Sequence, residues 1–224
     1  MLDRLKDRLQ LDQWQQAPKI AATVSGGLVQ HSSDLCDAFG SERSRLKTSQ
    51  GGVAYHNVAL WLIKPETMMN RSGNTCRKLL RQPPALPGMP VEAFRLKSSP
   101  RTLNKWDEIV VVCDDTSLEF GQVRLKYKGG SGGQNGLKDI ISRVGSDKLT
   151  RLRVGVGLPQ GLPLDKHVLS RFEPQQQDLM PDLLDFCCEL LLVYFHRGFD
   201  IAASLANTPQ HFERYRNSVH GGRV

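Results

Sequence analysis

The stretch Lys126-Tyr-Lys-Gly-Gly-Ser-Gly-Gly-Gln-Asn-Gly-Leu-Lys138 decides the fold of this chain, because it joins a strand to a helix through a glycine-rich turn. Apolar and polar residues alternate over 121–128, which predicts a half-exposed strand before the turn. A helix is predicted over 134–144, and its first turn presents free backbone N–H groups. The glycines around Ser131 allow positive φ and close approach of a ligand. The turn therefore suits a phosphate-bearing or otherwise polar partner, although it lacks the Gly-Lys-Ser/Thr ending of a Walker loop.

Apolar and charged residues occur in proportions typical of a soluble globular protein, at 39% and 24% of the chain. The formal net charge of +7 favours anionic partners, with nucleic acid ahead of a membrane surface. A basic protein with no role at nucleic acid is the alternative. We favour nucleic acid because Lys126, Lys128 and Lys138 bracket the glycine turn.

The five cysteines are scattered without a Cys-x-x-Cys pair, so we expect no metal site and no other cofactor. Their odd number and the adjacent Cys187 and Cys188 argue against a disulfide framework and favour a reducing compartment. No apolar run is long enough to cross a bilayer, so we expect no membrane partner. Residues 1–10 include two aspartates and do not resemble a signal peptide.

The length of 224 residues suggests one domain, and predicted strands alternate with predicted helices along it. We therefore predict a single three-layer α/β domain with a mixed central sheet over 17–207. An amphipathic helix within 1–16 precedes the domain and packs on it or on a partner, and a basic tail over 208–224 follows it. Four prolines within 82–90 interrupt the chain, which predicts an irregular insertion at about 83–105.

Periodicity and turn residues give approximate bounds for the individual elements. After the first strand, Ser25-Gly26-Gly27 predicts a turn. The strand over 58–63 is nearly all apolar, which indicates a central position. The predicted strands cover 19–24, 53–55, 58–63, 108–113, 121–128 and 149–156, and the predicted helices begin near 34 or cover 66–81, 134–144, 181–196 and 199–206.

Three segments resemble motifs of the bacterial-type peptidyl-tRNA hydrolases and occur in the same order. Leu62-Ile-Lys-Pro-Glu-Thr-Met-Met-Asn-Arg-Ser-Gly73 resembles the substrate-asparagine motif of that family, and Val110-Val-Val-Cys-Asp-Asp115 resembles its strand ending in an acidic residue. The glycine turn itself resembles the family's glycine-rich motif. Residues 151–157 and 167–172 fit as well, so the resemblance covers most of the chain. It implies the family's fold and hydrolysis of the ester that joins a peptide to tRNA.

The resemblance also implies roles for individual residues. Asp114 corresponds to the aspartate that orients a histidine base, and Asn70 and Asn135 correspond to asparagines that hold the peptide. Gln134 stands where the family has a histidine, and its amide can still form hydrogen bonds to substrate. The alternative is that Asp114 caps the loop after its strand and that Asn70 begins a helix.

His31 is the expected catalytic base, because it aligns with the family's histidine when the preceding loop is shortened. The alternative is an ordinary surface histidine near a helix start. His56 and His167 lie in no matching motif. The asparagine of the family's first turn is absent, with Ser25 or Gly26 in its place, which argues against full activity.

We expect a tRNA-facing surface formed by the basic residues around the glycine turn. Neutralisation of phosphates by such residues supplies affinity that does not depend on sequence. The resemblance implies that Lys126 and one of the two arginines contact tRNA, and ordinary solvated charge is the alternative. The expected RNA-binding residues are Lys126, Lys128, Lys138, Arg151 and Arg153.

Two functions follow from these features. The first is an enzyme that binds tRNA and hydrolyses peptidyl-tRNA. The second is a catalytically inactive RNA-binding relative, associated with a ribosome, a mitochondrial ribosome, rRNA or ribosome assembly, and the altered first turn and the insertion favour it. An unrelated nucleotide-binding protein is a third possibility, weakened by the lack of a phosphate-loop fingerprint. We expect a mitochondrial matrix or cytoplasmic location, with the organelle favoured.

Overall fold

A computed structural model describes residues 1–30, 57–81, 109–158, 161 and 163–220. The predicted strand over 53–55, the predicted helix near 34 and the predicted insertion at about 83–105 lie outside these residues. Short 3-10 turns at Pro18–Ile20 and Met69–Arg71 accompany the regular elements. The strands are β1 (Gln15–Ala17), β2 (Ala22–Gln30), β3 (Asn57–Pro65), β4 (Val110–Asp115), β5 (Val123–Lys126) and β6 (Thr150–Gly155), and the helices are α1 (Leu2–Arg8), α2 (Ser72–Arg81), α3 (Asn135–Val144), α4 (Leu164–Val168), α5 (Pro174–Arg197), α6 (Phe199–Asn207) and α7 (His211–His220).

The strands with described positions pair as two three-stranded sheets, in the orders β1-β2-β3 and β4-β6-β5. The first sheet is antiparallel throughout. In the second sheet β4 runs parallel to β6, whereas β5 runs antiparallel to it. Parallel pairing needs a crossover, which here includes α3 between β5 and β6. The predicted α/β class with a mixed sheet is confirmed.

The turn predicted at Ser25-Gly26-Gly27 is wrong, because β2 continues through these residues to Gln30. They pair with Leu62, Trp61 and Leu60 of the apolar strand β3. The glycines serve close packing instead of a turn, since a Cβ on Gly27 would lie 3.0 Å from Leu11 Cδ2. The Ser25 hydroxyl donates to the Asp12 carbonyl at 2.6 Å, so the segment after α1 lies across the strand.

Helix α5 forms the centre of the main core. Its residues from 186 to 193 are all buried, and they pack with Leu125 and Leu152 of the second sheet. The helix begins at Pro174, seven residues before the predicted start at Pro181, which lies inside it. A capping box between Glu173 and Gln176 explains the earlier start, because it satisfies backbone N–H groups that the first turn leaves free.

Both terminal segments pack on α5. Leu5 of α1 is fully buried, so the predicted amphipathic helix packs on its own domain. The segment predicted as a basic tail forms helix α7 as far as His220, because Tyr215 packs on Phe186 at a ring-centroid distance of 5.3 Å. Within the described part of the chain, the structure contains no helix long and apolar enough to cross a membrane.

A charged pair fastens α1 to α5. Arg8 donates to Glu189, whose side chain is only 3% exposed. Burial raises the pKa of Glu189, and the nearby Arg8 acts in the opposite direction. Arg4 forms a second pair with Asp185 at 2.6 Å, but both of these side chains are more than one-third exposed. Removal of one partner is therefore expected to cost more stability at the Arg8–Glu189 pair than at the Arg4–Asp185 pair.

We predict that Arg8→Ala lowers the free energy of unfolding by about 1–2 kcal/mol at neutral pH, because it leaves a buried carboxylate without its cation. This is below the cost for a fully buried pair, since Arg8 is 35% exposed. Burial raises the folded-state pKa of Glu189 above the ordinary value of a glutamate. The destabilisation therefore grows as pH rises through the raised pKa of Glu189. It is smallest at pH values below this pKa, where Glu189 is protonated.

Denaturant unfolding at acidic and neutral pH measures this effect, with Arg4→Ala as the matched control. We expect Arg4→Ala to cost less than about 1 kcal/mol at both pH values. Equal losses for the two variants would contradict the assignment of Glu189 as the buried partner.

Candidate active site

The carboxyl end of β4 and the glycine turn meet at Asp114. The Gln134 side chain lies at the end of that turn, and its Nε2 donates to Asp114 Oδ1 at 3.1 Å. Gln134 is also the N-cap of α3, where its Oε1 accepts from the Leu137 N–H at 2.7 Å. The structure thus brings together two residues that are twenty positions apart in sequence. Functional side chains of α/β proteins commonly lie at this end of parallel strands.

The 3-10 turn Met69–Arg71 packs against the start of α3. Gln134 Nε2 lies 3.5 Å from Met69 Sδ. A Cβ on Gly136 would lie 3.1 Å from the Met69 carbonyl oxygen, so the close approach of the two backbones favours glycine there. Asn70 follows Met69 and Asn135 precedes Gly136, so both asparagines flank this contact, and both are exposed.

A second contact fixes the relative position of α2 and α3. The Gly73 N–H donates to Asp139 Oδ2 at 2.8 Å. A Cβ on Gly73 would lie 2.4 Å from the Asp139 carbonyl oxygen. A larger residue would therefore fit at position 73 only if the backbone shifted. Sequence reasoning missed Asp139, although the glycine inside the predicted helix over 66–81 was a signal of close packing. In the structure, the helix predicted over 66–81 is replaced by the 3-10 turn Met69–Arg71 followed by α2.

Arg151 supports the glycine turn from inside the protein. Its side chain is 1% exposed and donates to the carbonyls of Gly129 and Gly130 at 2.6 and 2.9 Å. It also donates to the Leu149 and Asp147 carbonyls. Burial lowers the pKa of Arg151, but a guanidinium remains protonated at neutral pH. The prediction that Arg151 contacts RNA is wrong, because the side chain is buried and holds backbone carbonyls.

Arg153 lies under the next part of the turn. Its Nε is 2.8 Å from Asp115 Oδ2, and both side chains are largely buried. Asp115 Oδ1 in turn accepts from the N–H and hydroxyl of Ser117 at 2.9 and 2.7 Å. A Cβ on Gly132 would lie 2.5 Å from Arg153 Nη2. Arg153 therefore supports the turn, and little of its side chain is left to contact RNA. The neighbouring Asp115 is a structural carboxylate.

The predicted lysines lie on the outside of the same unit. Lys126 ends β5, Lys128 follows two residues later, and Lys138 lies in the first turns of α3. All three are exposed. Their charge surrounds a glycine turn that the two arginines support from within. Their contact with RNA stays a prediction.

Three histidines are candidates for the catalytic base. His31 and His56 lie outside the described residues. His167 lies in α4, where its Nε2 is 2.9 Å from the Gly157 carbonyl oxygen. Because a carbonyl only accepts, the proton of His167 is on Nε2, which is thereby committed to the backbone.

Cys113 precedes Asp114 on β4. Burial, together with the adjacent Asp114, raises the pKa of Cys113 to about 11, so that side chain is a thiol at neutral pH. In the described ranges, no group of three or more His, Cys, Asp or Glu side chains is arranged to hold a metal ion. The arrangement of Asp114 and Gln134 suits hydrogen bonding.

We predict that Gly132→Ala is more destabilising than Gly133→Ala. Both glycines have positive φ, at +58° and +85°, so alanine is strained at either position. Only at Gly132 does the new Cβ meet Arg153, and we expect an additional loss of about 1–3 kcal/mol from this overlap. Denaturant unfolding of both variants measures the contribution of the contact with the Arg153 guanidinium. Equal losses of unfolding free energy for the two variants would contradict the predicted overlap.

The chain is similar to proteins of one known family. A family model described as "Peptidyl-tRNA hydrolase" matches residues 97–214. The peptidyl-tRNA hydrolase of Chlorobium phaeovibrioides is 34% identical over 180 residues, which cover 78% of this chain and 84% of the relative. That of Pelobacter propionicus is 35% identical over 153 residues, which cover 68% and 69% of the two chains.

Solved structures show the same fold. The crystal structure of peptidyl-tRNA hydrolase from Acinetobacter baumannii superimposes with a TM-score of 0.62 and 22% identity. The superposition covers 92% of this chain and 82% of that one. Together with the extent and identity of the sequence matches, this establishes that the chain belongs to the peptidyl-tRNA hydrolase family.

Proposed function

We propose that this protein hydrolyses the ester bond of peptidyl-tRNA. The observation that carries the proposal is the convergence of Asp114, the capping residue Gln134 and the Met69–Gly136 contact at the carboxyl end of β4. Asn70 and Asn135 are the chain neighbours of the two residues in this contact, and amides near a carboxylate are among the groups that the reaction requires. The membership of the chain in the family supports the same activity.

The reaction requires activation of water beside a bound ester. His31 is the proposed base: it takes a proton from water, whose oxygen attacks the ester carbonyl carbon. The tetrahedral oxyanion then collapses, the bond to the ribose oxygen breaks, and that oxygen takes up a proton. Asp114 orients the histidine and stabilises its protonated form, as a carboxylate does in other histidine-dependent hydrolases.

The peptide part of the substrate needs polar groups and an apolar surface. The amides of Asn70 and Asn135 are suited to the peptide backbone, because each offers both a donor and an acceptor. Large apolar side chains are exposed beyond the carboxyl end of β6, where the Val156 N–H donates to the Asp115 carbonyl of β4. This surface suits peptide side chains, and it comprises Leu158, Leu164, Val168 and Leu169.

The tRNA part would lie against the exposed lysines. Lys126, Lys128 and Lys138 surround the glycine turn, so phosphates bound there would lie beside the ester site. We therefore propose tRNA binding by these lysines, without a direct contact from buried Arg151.

A catalytically inactive relative is the second candidate. It is favoured by one observation, namely that residues 25–27 continue as strand β2 where the family has an asparagine-bearing turn. Such a protein would retain the basic surface and bind tRNA, rRNA or a ribosome. For either function we propose the mitochondrial matrix or the cytoplasm as the location, with the organelle favoured.

We predict that Asp114→Asn lowers the rate of release of an N-blocked amino acid from its tRNA by roughly 10²- to 10⁴-fold, because the base loses its orienting carboxylate. His31→Ala is expected to cause a similar loss. Purified variants in a single-turnover assay measure both effects, and circular dichroism verifies that they are folded.

Two matched variants control this experiment. Asp178→Asn removes an exposed carboxylate of α5, and His167→Ala removes a histidine whose Nε2 bonds to the backbone. Both are expected to retain hydrolysis within a few-fold of the wild type. No turnover by the wild type, with tRNA binding intact, would exclude the enzyme and leave the RNA-binding relative.

We predict that the double variant Lys126→Gln, Lys128→Gln binds tRNA more weakly and with a salt dependence reduced by about two phosphate contacts. The charge-matched control is Lys19→Gln, Lys78→Gln, which removes two exposed lysines from other elements. Titrations at several salt concentrations measure the slope of log K against log salt. Equal slopes for the two double variants would place the RNA elsewhere.

A further inference from the structure

Both ends of the Gln134 amide are engaged by the protein itself. The oxygen accepts from the Leu137 N–H at 2.7 Å, and the nitrogen donates to Asp114 Oδ1 at 3.1 Å. The same nitrogen also lies 3.5 Å from Met69 Sδ, so a second protein atom borders the amide. This arrangement differs from the sequence-based expectation that Gln134 binds substrate.

The cap determines which way the amide faces. A backbone N–H can only donate, so the group that meets Leu137 N must be the Gln134 oxygen. The nitrogen then faces Asp114, whose ionised carboxylate can only accept. The reverse orientation would place two donors together at Leu137 and two acceptors together at Asp114. The fold of α3 therefore presents a donor to Asp114.

We infer that Gln134 is a positioning residue, which holds Asp114 Oδ1 through the N-cap of α3 and does not itself bind the peptide. This inference rests on the proposed function. With Oδ1 held, the other carboxylate oxygen, Oδ2, is the one through which Asp114 reaches the base. The donor is a neutral amide and does not titrate.

The surroundings of Asp114 make a neutral partner important. Its partner in the sheet register of β6 is the apolar Val154, and the nearest cation of β6, Arg153, is paired with Asp115. Arg151 of β6 is buried and donates to backbone carbonyls, whereas the cations of the 3-10 turn and of α3 are exposed. The titratable and charged groups on these elements are Cys113 and Asp115 on β4, Arg151 and Arg153 on β6, Arg71 on the 3-10 turn, and Lys138, Asp139 and Arg143 on α3, of which the last two pair with each other.

The variant Gln134→Glu separates positioning from capping. A glutamate oxygen can still accept from the Leu137 N–H, so the cap is retained, whereas the donor to Asp114 becomes an acceptor. We expect kcat/KM for the N-blocked aminoacyl-tRNA to fall about ten- to a hundredfold, the loss that accompanies removal of a hydrogen bond to a charged group. We also expect the acid limb of the pH profile to move to higher pH, because two adjacent carboxylates favour binding of a proton.

The chain offers a matched control at Gln122. Its Nε2 donates to Glu119 Oε2 at 3.3 Å, and it is exposed, so Gln122→Glu creates the same chemical change away from Asp114. The rate and the pH profile of this variant should equal those of the wild type. A Gln134→Glu variant with wild-type rate and profile would overturn the inference and leave Gln134 as a cap only.

A stability cycle tests the contact without using turnover. The free energy of unfolding is measured at neutral pH for the wild type, Gln134→Glu, Asp114→Asn and the double variant. An asparagine at position 114 can donate to a glutamate at position 134, so the double variant should be more stable than the sum of the single losses predicts.

The two measurements together distinguish the failures. Additive losses in the cycle would overturn the positioning role even when the wild type is active. Losses of unfolding free energy that are not additive, together with an inactive wild type, would overturn the proposed function and the positioning role with it. Coupling together with the shifted pH profile supports the inference.

Discussion

The buried guanidinium of Arg151 is the interaction on which the candidate site depends. It donates to carbonyls on both sides of α3, at Gly129 and Gly130 before the helix and at Asp147 after it. Glycine-rich backbone is entropically costly to order, and its carbonyls need partners when they face the interior. A planar cation with five donors meets this need. The turn is thereby held in one conformation, and the N-cap residue of α3 has a defined place.

The second requirement of the site is close approach between backbones. Gly136 lies against the Met69 carbonyl, and Gly73 lies against Asp139, so the 3-10 turn, α2 and α3 form one unit. Asn70 and Asn135 are brought to the same place by these contacts, although each is exposed. The asparagines are positioned by glycines next to them and by a carboxylate that has no part in the proposed chemistry.

Electrostatics divides the charged residues of this region into two sets. Arg151 and Asp115 are buried, Arg153 is largely buried, and all three have partners within the protein, whereas the lysines around the turn are exposed. The buried set supports the turn, and the exposed set provides the positive surface that a polyanion would meet. Burial alternates along β5, which leaves Lys126 exposed, whereas every residue of β6 is buried or half-buried, so both of its arginines are covered.

The sequence by itself determined the α/β class, the strand-turn-helix unit around residues 126–138 and the approximate bounds of most elements, because these depend on local periodicity and turn residues. It also singled out Asp114, Gln134, Asn70 and Asn135 through their motifs. It did not determine the roles of Arg151 and Arg153, since burial depends on which strand covers a side chain. The extension of β2 through Ser25-Gly26-Gly27 and the cap-directed orientation of Gln134 depended on contacts between segments distant in the chain, so only the tertiary structure decided them.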